Sequence, residues 1–474
     1  MLNLLPLDKC WIFILYLITG ANLLYSQQDT GRLLSFDQFI TMVKSHHPIT
    51  YQGDLLAEFA SNNERGARGL FDPKLEAAYS HKSFDGKNYY RLLESGVKIP
   101  TWFGIDVKAG YEYAQGIFIN EERSLPEQGL WNMGLSVPLG KGLIIDQRRA
   151  ELKKALIYNE LANQERNLLL NQLIYDASSA YLEWQQTEQY RQIALEGVAL
   201  AEERFRGTVI SYLNGDKPAI DTLESYLSLQ RRDQALQKTT QDVTAAIINV
   251  EKFLWLEGSI PLEIEVNTYP ETFELDEFKF LVDSLNIHLD AVMLDHPLLQ
   301  TYQFKLDQLD VDLRLSREDL KPDLRLDYFP LINIPENQVL SNSLNNYKFG
   351  ATLNYPLFQR KTRSKIIQTD LKIQDTKFDL LQKRRELELK LQLYYRNCEQ
   401  EELQFDLASD VLANYEQMTM AENRKFSIGE SSVFMVNTRE SNYLESKLKR
   451  IEVLMKLLKS RLSFIHASAR TSSI

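Results

Sequence analysis

The segment Pro322-Asp323-Leu324-Arg325-Leu326-Asp327-Tyr328 has an earlier counterpart in the same chain, Pro73-Lys74-Leu75-Glu76-Ala77-Ala78-Tyr79, and the architecture follows from that pairing. In both, apolar residues recur at every second position, the pattern of a strand with two unlike faces. Each segment starts 25 residues after a His-Pro pair, counted between the prolines: His47-Pro48 in one case and His296-Pro297 in the other. Further along, Val137-Pro138-Leu139 answers to Tyr355-Pro356-Leu357, and a long helical run then leads to a turn glycine, Gly215 or Gly429. Two copies of one unit (helix, strand pair, very long helix, turn, return helix) fill the chain, and internal repetition outranks local signals when a fold is assigned. The first copy takes residues 27–257 and the second 291–468; a linker at 258–290 joins them and a polar tail at 469–474 follows.

The helical runs are too long for a compact core. Leu143 to Glu196 and Phe358 to Ile428 contain no glycine or proline. The second run alone could extend roughly 100 Å at about 1.5 Å per residue. Apolar residues return in steps of three and four, as at Leu169, Leu173, Ala177, Ala180 and Trp184. The opposite face is dense in charge, as at Gln382-Lys383-Arg384-Arg385-Glu386. Narrow stripes of this kind pack helix on helix in coiled-coil fashion. Return helices are expected at Ala219–Glu257 and from Glu430 onward, which makes two helical hairpins: 143–257, turning near 207–218, and 358–468, turning near 429. A glycine at each turn supplies the left-handed residue that ends a helix. Ser35-Phe36-Asp37-Gln38 reads as a capping box opening an earlier helix, which passes a kink or break at Pro48 and ends at Arg68; its second-copy equivalent runs from Pro297 to Asp319. In the linker, Pro261, Pro270 and the alternating Leu262-Glu263-Ile264-Glu265-Val266 suggest short strands.

The strand regions, about 73–138 and 322–357, pose the decisive problem. Leu75, Ala77 and Tyr79 share a face, as do Trp131, Met133, Leu135 and Val137, and in the second copy Leu324, Leu326 and Tyr328 match Phe349, Ala351, Leu353 and Tyr355. Four strands attached to such helices have open edges and no core to lie on. Closure with other copies removes the edges, and aromatic-rich outward faces suit a transmembrane barrel. Three copies with four strands each give twelve, enough to leave a lumen. One asymmetry stands out. Pro73 to Pro138 spans 65 residues and Pro322 to Pro356 only 34. The 31 extra residues include Val97 to Gly104 and then Ile105, Val107 and Ala109, and read as an additional hairpin. The sequence leaves open whether it extends outward, folds over the mouth, or adds strands.

Composition narrows the setting. Lys9, the short apolar run Trp11–Ile18 and Ser26 before Gln27-Gln28 read as a secretory signal peptide over residues 1–26, with a retained signal anchor as the alternative. Beyond it only Cys398 remains, so no intrachain disulfide forms, and Cys398 continues a core stripe with Leu387, Leu391, Tyr394 and Phe405. A net charge of -11 argues against a nucleic-acid partner. No apolar stretch in the rest of the chain is long enough for a spanning helix, so entry into a membrane must use strands.

Taken together, the duplicated plan, the His-Pro pairs, Pro138-Leu139 and Pro356-Leu357-Phe358, and the turns Asn214-Gly215-Asp216 and Ile428-Gly429-Glu430-Ser431-Ser432 resemble the TolC-like outer membrane efflux protein family over about residues 34 to 468. The resemblance implies a mainly α fold with β: a homotrimer whose twelve-stranded barrel, set in outer membrane lipid, is continuous with a helical barrel in the periplasm of a Gram-negative cell. It implies an exit duct without cofactor or catalysis, passing drugs, small toxic molecules or polypeptides. An inner-membrane transporter of RND or ABC type and a periplasmic adaptor would load it. It also implies a gate at the hairpin tips. Asp221, six residues after Gly215, matches the family's acidic position in the first hairpin; in the second, the acidic positions hold Met435 and Thr438, and the arginine position holds Ser431. Asp216, Glu224, Glu430 and Arg439 could supply the charge instead. The plainer alternative is that Asp216, Asp221 and Glu430 serve helix dipoles.

Other chemistry has little support. His46, His47 and His296 sit beside prolines, without Cys or spaced acidic ligands, which favours a structural role over metal binding. His47, Pro48, Pro73, Pro138, His296, Pro297, Pro322 and Pro356 are accordingly read as structural marks of the repeat. No phosphate loop, nucleophile elbow or HExxH motif occurs. The competing class is a non-conducting coiled-coil protein of the periplasm or surface, structural or adhesive, but it has no need of two hairpins with alternating aromatic faces.

Overall fold

A computed structural model describes residues 32–265, 267–332 and 346–473. The expected signal peptide lies outside them. The described chain begins with β1 (Arg32–Leu34), α1 (Phe36–His46) and α2 (Pro48–Arg68), then β2 (Lys74–Phe84), β3 (Lys87–Pro100), β4 (Asp106–Gln115) and β5 (Leu130–Pro138). The first helical hairpin is α3 (Gln147–Leu213) with α4 (Ala219–Glu251). The linker holds β6 (Trp255–Leu256), β7 (Ile260–Pro261), β8 (Thr268–Pro270), α5 (Lys279–Ile287) and α6 (Leu289–Leu294). The second copy has α7 (Pro297–Glu318), β9 (Asp323–Ile332), β10 (Tyr347–Asn354) and the hairpin of α8 (Arg360–Ser427) with α9 (Val433–Ala467). Two compact units result, one of residues up to 47, 174–280 and 397–462, the other of 48–173, 281–396 and 463 onward.

In the first unit, the Ser35 hydroxyl accepts from the Gln38 amide at 3.2 Å while the Gln38 side chain accepts from the Ser35 amide, the expected capping box. Phe36, Phe39, Ile40 and Val43 make the buried stripe of α1. That helix stops before Pro48, since proline disfavours helical backbone in the residue it follows. Phe36, Phe39, Tyr181 and Phe273 form an aromatic core. The Tyr181 hydroxyl donates to Leu34 O at 2.6 Å and accepts from the Glu271 amide at 2.9 Å, so one buried phenol joins α3 to both sides of the β1–β8 pair. Burial pushes this phenol well above the ordinary tyrosine range. Arg461 is 1% exposed and donates to the carbonyls of Leu275 and Glu277, which ties α9 to the linker. The alternating stretch Leu262 to Glu265 is not a strand: the Leu262 amide bonds to Leu254 O and the Ile264 amide to the Glu251 carboxylate, so loop contacts take the donors a ladder would need. Val266 lies outside the described residues.

The second unit contains a six-stranded sheet in the order β10-β9-β5-β4-β3-β2, antiparallel throughout. The two copies meet at β5–β9, where the Leu139 amide donates to Leu324 O and the Lys141 amide to Pro322 O, both at 2.8 Å. The extra residues of the first copy are settled here: they form β3 and β4 and add strands. Among the described residues the sheet thus has six strands where the alternation pattern suggested four. The expected polar tail is tied down, with Thr471 fully buried and its hydroxyl 2.7 Å from Asn171 Oδ1.

The histidines of the two His-Pro pairs both make contacts at helix ends. His296 caps α7, its Nδ1 accepting from the Leu298 amide while Nε2 donates to Ala467 O at 3.0 Å. His47 ends α1 with its ring stacked 6.0 Å from that of Phe253. Burial holds both imidazoles below their ordinary range.

Candidate functional site: sheet wall and hairpin tips

The register of the sheet sorts its side chains into two faces. Leu75 is opposite Val97, Val97 opposite Ala109, and Ala109 opposite Met133, while Leu135 faces Tyr328 and Tyr328 faces Phe349. Tyr79, Leu93 and Tyr113 form a second apolar row on this side, and Tyr111 packs its ring 5.0 Å from Trp131. The other face is polar. Glu76, Glu94, Lys98, Lys108, Glu112 and Lys348, from the four strands β2, β3, β4 and β10, line one hollow there, so the sheet curls around its polar side. Within that concavity Lys348 pairs with Glu112 at 3.4 Å and Lys108 with Asp327 at 3.8 Å. Asp106, 3% exposed, collects Lys98, Arg148 and Arg325 at 3.2, 3.0 and 3.6 Å.

Curling crowds the concave side, and small residues accommodate it. Gly96 pairs directly with Gly110, and a methyl group on Gly134 would lie 2.0 Å from Tyr328 O. The connections are also asymmetric. The Thr101–Ile105 turn between β3 and β4 lies at the end where α2 enters and α3 leaves, whereas the β4–β5 connection at the other end covers residues 116–129. At the start of α3, burial pushes the Asp146 carboxyl up, but the Arg149 amide and the Arg148 and Arg149 guanidiniums outweigh it and hold it below the carboxylate range.

The hairpin tips lie in the other unit. At the first, the Gly215 amide bonds to Tyr212 O and the Asp216 amide to Ser211 O; at the second, the Gly429 amide bonds to Phe426 O and the Glu430 amide to Lys425 O. These are the same two bonds of one helix-ending motif, with both glycines left-handed at φ 83 and 82. Near them Arg204 on α3 reaches Glu440 on α9 at 2.6 Å and Asn423 on α8 at 2.8 Å, and lies 5.0 Å above the Phe426 ring. Lys217, from the first turn, sits 5.1 Å over the same ring. Further along, Arg232 donates to Ser441 Oγ at 2.8 Å, with burial pulling its guanidinium below the ordinary range, and Lys447 pairs with Glu196 at 2.7 Å. The two hairpins are therefore joined by a row of polar contacts.

The residues expected at a gate fare unequally. Arg439 is paired, 3.9 Å from Glu422, which also accepts from Ser431 Oγ at 2.5 Å. Asp216 and Glu430 are exposed at the turns, and Asp221 and Glu224 half-buried on α4. Among the described residues none of these four forms an ion pair. Asp221 occupies the first turn of α4, the position of the helix-dipole alternative. Met435 and Thr438 lie in the first turns of α9, half-buried; the Met435 amide donates to Ser432 Oγ and Thr438 Oγ1 donates to Phe434 O. Arg204, Asn423 and Glu440 escaped the sequence analysis. Nothing in a charged helix face marks one arginine among many when its partner lies 236 residues away.

Two very long helical hairpins attached to a curled antiparallel sheet define the fold of the TolC-like outer membrane channels, and this chain has that fold. The CmeC outer membrane channel of Campylobacter jejuni superposes with a TM-score of 0.64 at 11% identity, over 92% of this chain and 85% of that one. The open state of the MtrE outer membrane channel of Neisseria gonorrhoeae gives 0.63 at 12% identity, over 91% and 88%. The outer membrane protein VceC of Vibrio cholerae gives 0.60 at 12% identity, over 91% and 95%. No protein-family model matches the chain, and no curated protein matches it in sequence.

Proposed function

We propose that three copies of this chain form an outer membrane exit duct, which passively conducts substrates handed over by a periplasmic adaptor and an inner-membrane transporter of RND or ABC type. The carrying observation is the two-faced sheet: an apolar, aromatic-rich convex side and a charged concave side, on strands of 8 to 14 residues. Lipid on one side and water on the other is the environment such a sheet fits, and about ten tilted residues cross a bilayer. Among the described residues no helix is long and apolar enough to cross a membrane, which leaves the strands as the route into it.

The tip contacts give the duct its closure. Arg204, held by Glu440, Asn423 and Phe426, fastens the first hairpin to the second, and opening requires α3 to part from α9. The pair is 19% and 8% exposed at its side chains, so removing one partner strands a largely desolvated charge at about 3 kcal/mol. Asp216, Asp221, Glu224 and Glu430 then set the field at the mouth, with Met435, Thr438 and Arg439 beside them.

The test is membrane fractionation with heat-modified gel migration, followed by single-channel recording of the wild-type trimer and of Arg204→Ala and Glu440→Gln. An outer membrane trimer is expected, with low conductance in the wild type and several-fold higher conductance in both variants. A detergent-extracted trimer that conducts in none of the three would overturn the reading.

A further inference from the structure

We propose that the trimer closes an eighteen-stranded barrel, six strands from each copy, with β2 of one chain pairing with β10 of the next; this rests on the exit-duct reading above. The first support is the continuity of the two faces through β3 and β4. Leu93 and Tyr113 are outward on the apolar side in register with Tyr79, and Glu94 and Glu112 point to the concave side opposite each other. A hairpin folded over a mouth, with water on both sides, has no reason to continue the apolar band of its neighbours. The lengths agree as well. β3 has 14 residues and β4 has 10, and 9 to 11 tilted residues suffice for a span.

The edges supply the second support. Every residue of β2 and all but one of β10 are exposed, on both faces, although these strands carry Leu75, Tyr79, Phe349 and Leu353. Long apolar edges of this kind recruit another chain. Their directions permit it: five successive antiparallel pairings separate β2 from β10, so the two edges run opposite to each other. Joining the β2 edge of one copy to the β10 edge of the next therefore continues the antiparallel pattern, and a heterologous contact of this type closes into a ring. With strands about 4.8 Å apart and tilted by about 40°, eighteen strands close at a backbone diameter of about 36 Å, against about 24 Å for twelve. The exit would then admit solutes of small-protein girth.

The experiment has two arms, both on the full-length trimer. In a Cys398→Ala background, single cysteines replace Leu93, Tyr113, Glu94 or Glu112, and labelling by a membrane-impermeant maleimide is timed in outer membranes. The expected result is that Glu94→Cys and Glu112→Cys react at least about tenfold faster than Leu93→Cys and Tyr113→Cys, which a lipid-borne quencher should reach instead. The second arm needs no substitution: images of the detergent-extracted wild-type trimer should show a barrel of about 36 Å. Equal labelling at all four positions, or a barrel near 24 Å, in a trimer that still fractionates with the outer membrane would overturn the eighteen-stranded closure and leave the exit duct standing. A chain absent from the outer membrane would overturn both.

Discussion

At Gly215 and Gly429 the two copies of the repeat turn through the same pair of backbone hydrogen bonds, whereas between the strand-opening prolines and the long helices one copy builds four strands and the other two. The contrast separates two kinds of constraint. A helix end must satisfy particular carbonyls in a fixed geometry, so the solution is local and recurs unchanged. A sheet wall asks only that each strand find neighbours and keep its faces sorted. It tolerates added strands as long as alternation holds.

The largest effect is expected where the copies are joined. Gly134→Val places a side chain where the Cβ alone would sit 2.0 Å from Tyr328 O, at the β5–β9 seam. A loss of about 3 kcal/mol or more is expected, read as failure to recover the proposed heat-modifiable trimer. Gly350→Val, on the same face of β10 with its nearest neighbour 3.7 Å away, should cost under about 1 kcal/mol. Equal damage from both would mean the seam is no tighter than the edge.

The next test bears on the sameness of the turns. Nothing lies within 4 Å of a Cβ at Gly215 or Gly429, so valine at either position meets only the cost of left-handed backbone, about 1–2 kcal/mol. Thermal unfolding should show equal losses for Gly215→Val and Gly429→Val, and asparagine should be milder at both. A large inequality would break the equivalence that the hydrogen bonds suggest.

The smallest effect concerns the paired histidines. His47 and His296 are both held below the ordinary imidazole value of 6.5, by burial in each case. A lowered folded value means that the unfolded chain takes up the proton first. Stability is therefore full above about pH 6.5 and declines as pH falls through that value toward the folded one. Around His296 the cations Arg470 and Lys390 add to the penalty on the charged ring and Asp295 opposes them. Melting curves from pH 8 to pH 5 should slope downward on the acid side. His296→Asn, which can still cap α7, should flatten part of that slope, and an unchanged slope would remove His296 from the account.

Most of the helical part was legible in the sequence. The three- and four-residue steps gave α3 and α8, and Gly215 and Gly429 gave the turns. Gly197 lies inside α3; a side chain there would press on Leu444 at 3.1 Å, so the glycine serves close packing of α3 and α9. The sheet was half legible. Tyr89-Tyr90-Arg91-Leu92-Leu93 places apolar groups on both faces of β3, and a register shift between Lys82 and Ser83 interrupts β2, so period two fails where the added strands begin. Of the tip, the positions of the turns were readable and the contacts were not. Partners such as Arg204 and Glu440 belong to different copies, and only the packed hairpins bring them together.

The opposed directions of β2 and β10 also bear on how such a chain can change over generations. An inserted single strand would turn one edge to run alongside the other, and neighbours would then meet in a parallel pairing that the rest of the wall does not use. An inserted hairpin leaves the edges as they were. Widening is thus confined to whole hairpins, and in the proposed threefold ring each successful duplication enlarges the circumference by six strands at once. Under this rule the width of the proposed barrel evolves in jumps.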